Sequence, residues 1–118
     1  MAVLFPAGVV LWVNGVHPRP GDAGAPKQRP VVLITDLCDD GEPALGVAVT
    51  TVIRPELSAI SVRLPFVRAR TGGLTQDGAA VCDWTQEVTA GMVAGRCDSI
   101  PNSHLNEIID KVESLFGN

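Results

Sequence analysis

The sequence predicts a mainly β fold with a C-terminal helix: a small, strongly bent antiparallel sheet or partly open barrel covered by that helix. Three observations predict it. Short apolar runs rich in β-branched residues recur along most of the chain. Twelve Gly and nine Pro in 118 residues turn the backbone too often for long helices. Only the tail changes to a helical period.

Val9-Val10-Leu11-Trp12-Val13 is a compact apolar run bounded by Gly8 and Asn14-Gly15, and reads as the first strand. Residues 17–28 are rich in Pro, Gly and Ala without apolar periodicity, so they form a long loop of the kind that often carries function. Val31-Val32-Leu33-Ile34 is continuous and apolar, as in a strand buried on both faces. Residues 36–43 form an acidic turn, 44–51 a third strand, and Arg54-Pro55-Glu56 breaks it. Ile60-Ser61-Val62-Arg63-Leu64 alternates, as a half-buried strand does. Residues 68–78 make a second loop hinged at Gly72-Gly73, residues 79–88 hold one or two strands, and a short strand lies within 92–100. In the tail, Leu105, Ile108, Ile109, Val112, Leu115 and Phe116 fall on one face of a helix. Asn102 or Ser103 is placed to cap its start, and Gly117 to end it.

At about 100–150 residues per domain, residues 1–118 make one domain. A hydrophobic fraction of 46% supplies a core, and no stretch reaches the roughly 20 apolar residues a membrane helix needs. The expectation is a soluble, cytoplasmic protein with no membrane partner. Three cysteines, Cys38, Cys82 and Cys97, are odd in number and lack CxxC spacing, so they read as small buried hydrophobes rather than disulfides or zinc ligands. His17 and His104 are far from each other and from any cysteine, and neither a metal motif nor a phosphate-loop or nucleophile-elbow motif is present. No metal and no cofactor is expected.

The formal charge is −4, from nine basic and thirteen acidic residues, which argues against a general polyanion binder but leaves room for a local basic site. Arg54, Arg63, Arg68 and Arg70 fall within 17 residues that hold one acid, Glu56. Three polar positions stand at the ends of apolar strands. Arg29 precedes Pro30, which biases it to an extended backbone at the mouth of the long loop, and its guanidinium suits a phosphate. Thr50 and Thr51 end the third strand with hydroxyls able to bond an oxygen. Asp83 is set in an apolar run between Cys82 and Trp84, where a carboxylate must find a partner or shift its pKa. Each also has an ordinary structural reading: a surface arginine, strand threonines, a satisfied aspartate.

In order, Gly8-Val9-Val10-Leu11-Trp12-Val13, Arg29-Pro30-Val31-Val32-Leu33-Ile34, Val49-Thr50-Thr51, Val62-Arg63-Leu64, Gly73-Leu74 and Val81-Cys82-Asp83 resemble the MazF/PemK family of toxin–antitoxin endoribonucleases, over residues 8–116. The resemblance implies an SH3-like small barrel of the MazF/PemK/CcdB type, a homodimer, a small antitoxin partner, and metal-independent cleavage of single-stranded RNA. Cleavage in that family proceeds by attack of the ribose 2′-hydroxyl on the adjacent phosphorus. It maps the catalytic positions onto Arg29, Thr50 and Asp83. The RNA-binding set is then Lys27, Thr51, Arg54, Arg68, Arg70, Trp84, Gln86 and His17, with Trp84 offered as a stacking surface. The pattern also departs from the family. The stretch 21–28 before Arg29 has no Glu-Gln and no His, with His17 lying earlier, Val81 stands where some members carry Arg, and Val9 where Asp is usual. Those departures keep open a non-enzymatic toxin on the same fold, resembling the gyrase poison CcdB, or a catalytically weakened member.

Overall fold

The computed structural model describes residues 2–50, 55–64 and 78–117. The expected sites Thr51, Arg54, Arg68 and Arg70, and the Gly72-Gly73 loop, lie outside the described residues. The strands are β1 (Val3–Phe5), β2 (Val9–Val16), β3 (Lys27–Leu33), β4 (Leu37–Cys38), β5 (Ala44–Thr50), β6 (Ser61–Leu64), β7 (Gly78–Val88) and β8 (Val93–Ser99), followed by helix α1 (Asn102–Val112). Six of them form one antiparallel sheet in the order β6-β7-β5-β3-β2-β8, and β1 pairs with β4 in a second, two-stranded sheet. The mainly β fold with a C-terminal helix is the one the sequence predicts.

Alternate residues of the central strands enter different cores. Val10, Val32 and Val47 pack on the side covered by Leu105, Ile108 and Val112 of α1. Leu11, Val31 and Leu33 pack on the other side with Leu37, Leu57 and Trp84. Burial on both faces explains why these strands read as unbroken apolar runs instead of alternating. Gly46 of β5 leaves no room for a side chain: a Cβ built there would overlap the Val31 Cγ1 methyl of β3.

Two pairings position the functional region. The β3–β5 register is Val31 against Ala48, Val32 against Val47 and Leu33 against Gly46. Among the described residues the first half of β3 pairs with β2, through Pro30 opposite Trp12 and Arg29 opposite Val13. Pro30 has no N–H to donate and so adds no ladder bond of its own. On β7, the partner of Val47 is Thr85 and the partner of Val49 is Ala80, so five steps on β7 match two on β5. Residues 81–84 therefore form a bulge, a device that bends a strand and re-aims its side chains.

The structure corrects several details. Of the one or two strands expected in residues 79–88 there is one, extended back to Gly78. The short strands β1 and β4 were not expected; β4 sits inside the acidic turn. The helix is capped by neither Asn102 nor Ser103. Pro101 takes the N-cap, its carbonyl accepting the N–H groups of His104 and Leu105 at 3.1 Å each, and its fixed φ suits the start of a helix. The tail does not keep its stripe: after Val112 the chain enters a wider π-type turn, Glu113–Gly117, containing the glycine expected to stop the helix. That turn takes Leu115 and Phe116 off the core face, leaving them 43% and 60% exposed. Cys82 and Cys97 are buried as expected, but Cys38 is half-exposed on the two-residue strand β4. Burial pushes the Cys82 thiol up to about 11.

Candidate functional site

Continued two residues past its last pair, the β3–β5 register sets Arg29 against Thr50. Both residues line a cleft of about 240 Å³, together with Pro18, Arg19, Asp22, Ala23, Leu57 and Trp84. The cleft lies beside the strand ends that carry Arg29 and Thr50, with Pro18, Arg19, Asp22 and Ala23 of the loop after β2 on its wall. Arg29 and Thr50, 21 positions apart in sequence, come together because the sheet brings strand ends together.

The floor is Trp84, 7% exposed and part of the core. The Arg29 guanidinium carbon lies 5.0 Å from its ring centre, a cation–π distance. The Arg29 Nε is buried and has no hydrogen-bond partner among the described residues. A buried guanidinium N–H without an acceptor is costly. The sequence leaves Trp84 open as a core residue or a stacking surface for a base; it is buried in the core, and it also lines the cleft with Arg29 over its ring.

The long loop is tied to β7 by three residues from and beside the bulge. Trp84 Nε1 donates to the His17 carbonyl at 2.8 Å, and the His17 N–H donates to Gln86 Oε1 at 3.3 Å. Asp83 accepts two bonds from Arg19: Nε to Oδ1 at 3.0 Å and Nη2 to Oδ2 at 2.6 Å. His17 and Gln86, expected as RNA contacts, therefore meet each other through backbone and amide, and His17 does not line the cleft. Lys27 is exposed at the start of β3, two residues before Arg29.

Asp83 has found a partner, as a carboxylate in an apolar run must, and that partner is Arg19. The hydrogen bond to Asp83 raises the Arg19 pKa above its ordinary value; burial opposes the rise, and the charges of Asp83, Asp22 and Glu56 add to it. Sequence reasoning missed Arg19, since it lies in a loop without periodicity. The available signal was its frame, Pro18-Arg19-Pro20, which restricts the backbone on both sides of a lone cation. Among the described residues, no group of three or more His, Cys, Asp or Glu side chains is placed to hold a metal. Nor is any described helix long and apolar enough to cross a membrane.

No protein-family profile and no curated protein matches the sequence. Solved structures do match the fold. MazF from Deinococcus radiodurans superposes with a TM-score of 0.70 at 21% identity, over 100% of both chains. The MazE–MazF complex from the same organism gives 0.67 at 20%, over 95% of each chain. The Mycobacterium tuberculosis toxin MazF-mt6 gives 0.64 at 18%, covering 90% of this chain and 94% of that one. The mainly β fold of antiparallel sheets with a C-terminal helix matches the fold of the MazF toxin structures.

Proposed function

We propose that this chain is the toxin of a toxin–antitoxin pair and a metal-independent endoribonuclease acting on single-stranded RNA in the cytoplasm. The observation that carries the reading is Arg29, held on Trp84 with a buried, unpartnered N–H, beside Thr50 in a cleft on the MazF fold. A homodimer and a small antitoxin complete the proposal. Its support for an antitoxin is the likeness to a structure solved as a MazE–MazF complex.

The reaction is attack of a ribose 2′-oxygen on the adjacent phosphorus. The 2′-hydroxyl loses its proton, the P–O5′ bond breaks, and the leaving 5′-oxygen gains a proton. The products are a 2′,3′-cyclic phosphate and a 5′-hydroxyl. Negative charge builds on the phosphoryl oxygens in the transition state, where a prefixed guanidinium stabilises it; this is the role of Arg29. Thr50 orients a phosphoryl oxygen through its hydroxyl, a weak base but a good donor. Asp83 does not line the cleft; both of its oxygens accept bonds from Arg19, which does, so in this proposal it acts through Arg19. The 2′-hydroxyl proton passes to water. Lys27 is proposed to contact the RNA backbone, a role the sequence also assigns to Thr51, Arg54, Arg68 and Arg70, which lie outside the described residues.

The test is cleavage of a mixed-sequence single-stranded RNA in EDTA by the wild type, Arg29→Ala and Thr50→Ala. Loss of at least about 100-fold in Arg29→Ala, and a smaller loss in Thr50→Ala, is expected. Equal cleavage by all three removes the assignment.

A further inference from the structure

The Arg19–Asp83 pair has a geometry that a loop tether does not require. Two other hydrogen bonds, both at His17, already join the loop to β7. The pair is part-buried, its side chains 22% and 27% exposed, so its net contribution to stability is modest. What the pair does accomplish is orientation. Asp83 grips Arg19 by its Nε and Nη2 edge. A guanidinium has five N–H donors, so three remain, two of them on Nη1. Arg19 lines the same cleft as Arg29 and Thr50, and Pro18 and Pro20 restrain the backbone that carries it.

We propose that Arg19 is a second phosphate ligand of this cleft and that Asp83 is the positioning residue that aims it. The proposal rests on the reading of the cleft as an RNA site and deepens it: two guanidiniums, one from the loop and one from β3, take one phosphodiester or two successive ones. Asp83 holds the plane of Arg19 before the nucleic acid arrives, so less freedom is lost when the phosphate binds. Asp22, also lining the cleft, opposes an incoming anion. Affinity is therefore modest and depends on both arginines, as suits a chain of net charge −4.

The experiment measures binding of a fluorescein-labelled single-stranded oligodeoxynucleotide, which has no 2′-hydroxyl and so is not cut by this route. Fluorescence anisotropy is followed across a salt series for the wild type, Arg19→Ala and Arg19→Lys. Removing one phosphate contact should weaken binding about tenfold and flatten the plot of log affinity against log salt by about 0.7. The lysine variant should keep the wild-type slope, because it keeps the charge, while losing part of the affinity. A purely tethering role would leave the slope unchanged in all three. Should the alanine variant not fold, Arg19→Gln removes the charge while keeping a donor for Asp83, and carries the same comparison. Wild-type affinity and slope in the neutral variants overturn the proposal, as does a wild type that binds no oligonucleotide. A wild type that binds with an Arg19-dependent slope yet cuts no RNA leaves this inference standing and removes the nuclease reading alone.

Discussion

The guanidinium carbon of Arg29 stands 5.0 Å from the ring centre of Trp84, so the cation of the cleft and its floor form one unit. Trp84 is fixed in turn by its bond to the His17 carbonyl and by its burial in the core. The two residues should separate by substitution. Arg29→Ala removes a cation–π contact of about 0.5–1 kcal/mol and should barely move the urea midpoint, while abolishing most activity. Trp84→Ala empties a core site and should cost about 3–5 kcal/mol. Trp84→Phe, which keeps a ring under Arg29 but loses the bond to His17, should fall between, at about 1–2 kcal/mol.

Gly46 makes a prediction about the sheet. Because its neighbour across the strand pair is the Val31 methyl, Gly46→Ala should destabilise by about 1–3 kcal/mol, read from denaturant unfolding. The double variant Gly46→Ala, Val31→Ala should recover part of that loss, since it vacates the overlapping volume. A cost unchanged by the second substitution contradicts this packing.

The end of the helix gives a contrast within one segment. Ile108 is fully buried, and Ile108→Ala should cost about 2–5 kcal/mol. Phe116→Ser, at an exposed position, should change stability by no more than about 0.5 kcal/mol in the monomer. Equal losses would mean that the apolar stripe runs unbroken to the end of the chain.

The cysteines predict a dependence on pH. Burial raises the Cys82 thiol from its ordinary 9.0 to about 11. The folded state therefore holds a proton that the unfolded state releases first, so this contribution is complete below pH 9.0 and is lost as pH rises toward about 11. Cys82→Ala should flatten that decline in a pH series of unfolding midpoints. In the native protein, iodoacetamide should label Cys38 and spare Cys82, as mass spectrometry of peptides would show.

How far the sequence was legible depends on the range of the interaction. The runs at Val9 and Val31 declare themselves because burial on both faces demands unbroken apolar residues. The strand of Val3–Phe5 does not, since its partner is two residues long and lies inside an acidic turn. Leu115 and Phe116 have helical spacing, and only the widened last turn takes them off the core. At the site, Arg29 and Thr50 were readable as polar ends of apolar strands. Arg19 was not: its partner Asp83 is 64 residues away, on a bulge that no local pattern announces.

The central claim is that the cleft cuts RNA through the ribose 2′-hydroxyl. The most direct measurement is mass spectrometry of the products from one RNA oligonucleotide and from its copy carrying a single 2′-deoxy residue at the cleaved position, both in EDTA. The account predicts a 2′,3′-cyclic phosphate and a 5′-hydroxyl from the first and an intact second. Cleavage of the deoxy copy, or a 5′-phosphate product, would contradict it.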